Sequence, residues 1–160
     1  AKGVERLLTW SAPLAMDLLV VGDGEAEYVA HLRTLAGPRV RFAGPLLGKD
    51  LAAAYAGARF LAFVPHAEEF GLAALDAMAA AKPVVAAPEG GLFELVYAGV
   101  TGLFARDATT FASAVLRLLE DDALCLRLGR AGRERARAYT WERFAYGVEA
   151  ACERICHELV

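Results

Sequence analysis

The 160 residues predict an α/β fold: a Rossmann-like, three-layer domain with a parallel sheet of about five strands, flanking helices and a helical C-terminus. Three observations carry that expectation. Short apolar runs alternate with amphipathic stretches through residue 120. Two of the runs, Phe60-Leu61-Ala62-Phe63-Val64 and Pro83-Val84-Val85-Ala86-Ala87, are apolar on both faces, as strands inside a parallel sheet are. Gly and Pro gather just past the runs, at Gly22-Asp23-Gly24, Gly44-Pro45, 65–71 and 88–91, where open α/β sheets bind ligands.

In chain order, a short helical region at 3–14 precedes the strand Leu18-Leu19-Val20-Val21. A helix at 25–35 leads to the strand Val40-Arg41-Phe42-Ala43, and a helix at 49–55 to the strand at 60–64. Helices at 72–81 and 92–98 flank the strand at 83–87, and Gly102-Leu103-Phe104 supplies the fifth strand before a helix at 109–120. This cadence argues for a parallel sheet covered on both sides. Beyond Asp121 the pattern is helical only, at 124–138 and 141–159, with Thr140 placed to cap the last helix. The length fits a single domain, 1–160, without repeats or flexible linkers.

Composition narrows the classes of function. At 57% hydrophobic and 23% charged the chain is an ordered globular one. A net charge of −3 gives no footprint for nucleic acid or anionic membrane, so any phosphate recognition is local. No signal peptide is expected, nor a transmembrane segment, since no apolar run approaches roughly 20 residues. The chain opens at Ala1-Lys2-Gly3 with neither a Met nor a preceding strand, and reads as a piece of a longer protein. Cys125, Cys152 and Cys156 are expected to be buried or incidental thiols, which suits a reducing cytoplasm. Cys152, Cys156 and His157 share a helix, but no second ligand cluster accompanies them and no metal site is expected.

The stretch from Pro65 to Met78 carries the chemistry. It leaves the most hydrophobic strand and opens a helix near Gly71. Free amides and the positive end of a helix dipole suit a diphosphate there, and Gly71 lets a ligand approach the backbone. Glu68 falls just ahead of that helix, within reach of sugar hydroxyls on a distal phosphate. Asp76 lies about 7 Å further along the axis, a fair span to a ribose. Carboxylates take vicinal hydroxyls through charge-assisted hydrogen bonds. The plainer alternative stays open: glutamates near a helix start stabilise that helix without any ligand.

Glu68-Glu69-Phe70-Gly71-Leu72-Ala73-Ala74-Leu75-Asp76-Ala77-Met78 and the following Pro83-Val84-Val85-Ala86 resemble the signature of the retaining GT-B glycosyltransferases, in their C-terminal, nucleotide-sugar-binding domain. That signature reads E-x-F-G-L-x-x-L-E-A-M-A-x-G-x-P-V-V-A. Gly90-Gly91-Leu92-Phe93-Glu94-Leu95-Val96 and Gly99-Val100-Thr101-Gly102-Leu103-Phe104 are similar to its next steps. Lys2-Gly3-Val4-Glu5, Val20-Val21-Gly22-Asp23-Gly24, Val40 to Gly44 and Thr140-Trp141-Glu142-Arg143 extend the likeness to nearly the whole chain, in order. The Glu-Glu-Phe-Gly form is most like a mannosyltransferase-like subset of group 1 enzymes.

The resemblance implies roles residue by residue. Glu68 would hold donor-sugar hydroxyls, and the amides around Phe70, Gly71 and Leu72 would meet the sugar or distal phosphate. Asp76 would bind the ribose. Lys2 would neutralise the diphosphate leaving group, which with Glu68 makes the catalytic pair. Gly22 and Gly24 would turn the chain near the nucleotide, unless they serve only the strand end. The donor is a nucleoside-diphosphate sugar, with no cofactor and no metal required. The acceptor, a glycan or lipid in polysaccharide or glycolipid synthesis, would come through an N-terminal domain, in a cytoplasmic enzyme or one peripheral to the inner membrane face. Sugar transfer would retain the anomeric configuration.

Some departures bear on this. Asp76 stands where the signature has Glu, one methylene shorter, and Ala81 stands at its frequent Gly. The family's phosphate-binding arginine and first strand precede residue 1. Glu94 reads more simply as a cap or loop anchor, His66 as an exposed or structural loop residue, and Trp10, Trp141 and Phe144 as packing residues. Rival readings are a sugar-nucleotide epimerase on the same fold, a non-catalytic nucleotide-binding domain and a purely structural or interaction domain. A dinucleotide oxidoreductase is disfavoured, because no G-x-G-x-x-G follows a strand.

Overall fold

The computed structural model describes residues 2–158, with side chains through residue 156. Five strands, all parallel, alternate with helices: α1 Val4–Ser11, β1 Leu18–Val21, α2 Ala26–Leu35, β2 Val40–Gly44, α3 Gly48–Gly57, β3 Leu61–Phe63, α4 Leu72–Ala79, β4 Val84–Ala86, α5 Leu92–Leu95 and β5 Gly102–Phe104. Then α6 Ala108–Glu120, α7 Asp122–Ala136 and α8 Trp141–Glu158 follow as helices alone. The α/β class, the parallel strands and the helical C-terminus are those read from the sequence. No helix among the described residues is long and apolar enough to cross a membrane.

The strands pair as two groups rather than one sheet. Hydrogen bonds join β1 to β2, and β3 to β4 to β5. Both β1 and β3 line one cleft of about 1170 Å³, so the cleft separates the two ladders. α1 lies against both α2 and α6, and hydrogen bonds from Tyr55 to Ala73 O and from Lys82 to Ala56 O also join the two parts.

The core forms around β4, buried on both faces. Successive residues of a strand point to opposite sides. Val85 therefore joins Leu103, Phe111, Val115, Leu118 and Leu128 on one face, with Trp10 packed against them. Val84 and Ala86 join Ala74, Met78, Leu92 and Leu95 on the other. The α6 residues in this core, Phe111, Ala114, Val115 and Leu118, recur at helical spacing. Asp107 fixes where α6 begins, taking the Thr110 amide in a capping box, one residue ahead of the predicted start.

One expectation needs correction. Trp141 and Phe144 are exposed at 78% and 64% and touch each other edge to face, so they are not core residues. With the exposed Val148 and Ile155 they form an apolar face of α8 on the surface, while the exposed Tyr146 lies on the opposite side of the helix. Cys152 and Cys156 are exposed on the same helix, while the side chain of His157 lies outside the described residues. Thr140 does meet the Arg143 amide at 3.3 Å, as a cap should.

The end of α4 explains one departure from the family signature. Lys82 N donates to Ala77 O at 2.8 Å and Ala81 N to Met78 O at 2.9 Å, the paired bonds of a glycine-type helix terminus. Ala81 sits at the left-handed position of that terminus, φ 58, where an L side chain is strained. Replacing Ala81 with Gly is expected to stabilise the fold by about 1 kcal/mol, read as a higher urea midpoint at unchanged slope. A lower midpoint would contradict this account of the helix end.

Candidate functional site

The site is built where β3 and β4 end. Their register, Leu61↔Val84 to Phe63↔Ala86, makes the two strands stop level, so their loops leave side by side. The loop after β3 carries Glu68 and runs into α4. The turn after β4 carries Glu89, Gly90 and Gly91. A Cβ on Gly90 would come within 1.8 Å of Glu68 O, and one on Gly91 within 2.3 Å of Glu69 O. Only bare backbone fits between the loops, and the glycine pair supplies it. Gly91 N donates to Glu68 O at 3.2 Å and ties the loops together.

Glu68 is buried, 8% exposed, yet fully engaged. Its Oε1 accepts the Gly71 amide at 3.1 Å, and its Oε2 meets Lys2 Nζ at 2.8 Å. Lys2 comes from the far end of the sequence. It arrives because the next residue, Gly3, rests on the end of β3, where a Cβ would lie 1.9 Å from Val64 O. The two expected catalytic residues are thus brought into direct contact.

Gly71 precedes the first turn of α4 at φ 97, and Leu72 and Ala73 open the helix. Amides at a helix start have no intrahelical acceptor and carry the positive end of its dipole. Lys2, Glu68, Phe70, Gly71, Leu72 and Ala73 all line one end of the cleft. An ammonium, a carboxylate and free amides there suit an anion bearing hydroxyls.

Asp76 stands three and four residues beyond Ala73 and Leu72, on the same helix face. It is not among the residues that line the cleft, and its charge acts on the nearby Tyr55, whose hydroxyl donates to Ala73 O at 3.3 Å. Burial holds the Asp76 carboxyl above the usual aspartate range. Burial first, then the Asp76 charge, pushes the Tyr55 hydroxyl up. Gly22 and Gly24 sit apart from this cluster, exposed beyond the end of β1, on the other ladder. Glu94 and His66 are exposed. Phe70 lies edge to face with Tyr139.

Arg6 and Glu89 hold this loop, and no sequence reading singled them out. Arg6 donates to Val64 O at 3.0 Å through Nε and also to Pro65 O, lies over the Trp10 ring, and pairs with Glu89 at 3.4 Å. Glu89 Oε2 accepts the Ala67 amide at 2.8 Å. The Ala67 amide, then Arg6 and the nearby His66, hold the Glu89 carboxyl below the usual range. A depressed carboxyl contributes stability above its unfolded value and loses it as pH falls through the folded value. A pH titration by NMR should therefore find Glu89 titrating below an ordinary glutamate and Asp76 above an ordinary aspartate. Reversal of either order would overturn these contacts.

Comparison with known proteins bears on this arrangement. The family model described as "Glycosyl transferases group 1" matches residues 1–121. A D-inositol 3-phosphate glycosyltransferase of Nocardioides sp. is 40% identical over 90% of this chain and 35% of its own length. The chain thus spans about a third of that relative. Among solved structures, the sucrose-phosphate synthase of Thermosynechococcus elongatus superposes with a TM-score of 0.85 at 32% identity, covering 98% of this chain and 43% of that one. Anabaena HepE in complex with UDP-glucose gives a TM-score of 0.73 at 27% identity over 83% of this chain and 39% of that one.

Proposed function

Because this chain belongs to the glycosyl transferases group 1 family, we propose that it is the donor-binding half of an enzyme that moves a sugar from a nucleoside diphosphate to an acceptor. The observation that carries the reading is the meeting of Lys2, buried Glu68 and the first amides of α4 at one end of the cleft. In this reading the α4 amides take the distal phosphate, Glu68 takes sugar hydroxyls, and Asp76 takes the ribose. Gly22 and Gly24 border the nucleotide from the other ladder. The structure of HepE with UDP-glucose supports a sugar nucleotide as the ligand class.

Transfer needs charge to develop on the departing diphosphate. Lys2 and the α4 amides are positive groups placed to stabilise that charge more than the ground state. They supply what a divalent cation would otherwise provide, so the reaction is proposed to run without metal. Retention of configuration is proposed through the leaving phosphate, which deprotonates the acceptor as the sugar departs. The acceptor, a glycan or lipid, is proposed to enter from an N-terminal domain, in the cytoplasm or at the inner membrane face.

Calorimetric titration of UDP-, GDP- and ADP-sugars tests the reading. One of the three classes should bind the chain. Glu68→Ala should weaken that sugar nucleotide about tenfold and leave its nucleoside diphosphate nearly unchanged, as loss of a charge-assisted hydrogen bond to sugar predicts. Asp76→Ala should weaken both ligands. If none of the classes binds, or neither change matters while melting curves stay intact, the assignment is wrong.

A further inference from the structure

Ala67, directly before Glu68, has φ 55. An L residue avoids that left-handed region because its Cβ crowds the following carbonyl oxygen. A residue there persists where its surroundings over-determine it, and such outliers cluster at ligand-binding segments. The surroundings here are specific. The Glu89 carboxylate takes the Ala67 amide at 2.8 Å with one oxygen and faces Arg6 at 3.4 Å with the other. Arg6 in turn holds the carbonyls of Val64 and Pro65, the two residues where the chain leaves β3. One ion pair thus grips the loop on both sides of His66.

Neither Arg6 nor Glu89 lines the cleft. Their side chains are 18% and 32% exposed, and they join three separate pieces: α1, the loop after β3 and the turn after β4. They lie off the cleft that Lys2, Glu68 and the start of α4 line.

We propose that Arg6 and Glu89 are positioning residues, an ion-paired clamp that keeps Ala67 left-handed and so presents the Glu68 carboxylate to the sugar end of a sugar nucleotide. The proposal rests on the donor-binding reading above. A clamp of this kind acts on sugar recognition and spares the diphosphate, whose partners are the α4 amides.

The test uses the whole 160-residue chain with UDP-glucose, GDP-mannose and ADP-glucose, each beside its nucleoside diphosphate. Glu89→Ala should weaken the sugar nucleotide about tenfold, as loss of a charged hydrogen bond does, and the nucleoside diphosphate less than about twofold. Glu89→Gln keeps an oxygen for the Ala67 amide and should lose only about threefold; it also serves if Glu89→Ala fails to fold. Adding Ala67→Gly to Glu89→Ala should restore most of the loss, because glycine holds φ above zero without a clamp. Exchange of the Ala67 amide, followed by NMR without ligand, should quicken at least about tenfold in Glu89→Ala.

Equal losses for both ligands, no loss, or no rescue by Ala67→Gly would overturn the positioning role while leaving donor binding intact. If no sugar nucleotide binds the unaltered chain, the donor-binding reading fails, and the sugar role of the clamp with it. Unchanged Ala67 exchange would remove the clamp itself, whatever binds.

Discussion

The height of Glu68 above the start of α4 is set by a contact that contains no side chain. The turn after β4 lies directly against the loop after β3, and Gly90 and Gly91 leave room for nothing but backbone. The two loops are level because β3 and β4 are in register over three residues each. Both strands are fixed in turn by the core around Val84, Val85 and Ala86. Gly71 makes a second close approach, since a Cβ there would meet the Leu92 side chain of α5 at 2.6 Å. Core packing therefore sets where the backbone beneath Glu68 stands, and a shift of either loop is resisted by close-packed atoms.

Magnitudes separate the two partners of Glu68. Lys2 is 72% exposed, and a pair with so exposed a member contributes about 0–1 kcal/mol. The Gly71 amide is a buried donor to a charged acceptor, a bond worth about 1.5–3 kcal/mol. The amide holds the carboxylate, and the ammonium is the lightly held partner. That division suits the proposed chemistry. Lys2 can turn toward a diphosphate at small cost, while Glu68 keeps its place through its amide. The proposed phosphate-directed cation is thus a local group on a chain whose net charge is −3.

Most of the fold was legible in the sequence because strand and helix periods are carried by single residues. The doubly apolar runs at 60–64 and 83–87 contain β3 and β4, and the α6 face at Phe111, Ala114, Val115 and Leu118 follows its spacing. Pairing was less legible, since apolar runs alone do not say which strands meet, and β1 and β3 line a cleft instead of pairing. Trp141 and Phe144 were misread because large aromatics on an amphipathic helix signal a covered face, and this one is exposed. For the site, the motif drew attention to Glu68, Gly71 and Asp76, and Lys2 came through its place in the signature. Arg6 and Glu89 escaped notice because their link spans 83 residues and ordinary residue types. The available signal was an alanine, not a glycine, in a loop with a positive φ, and that becomes visible only in coordinates.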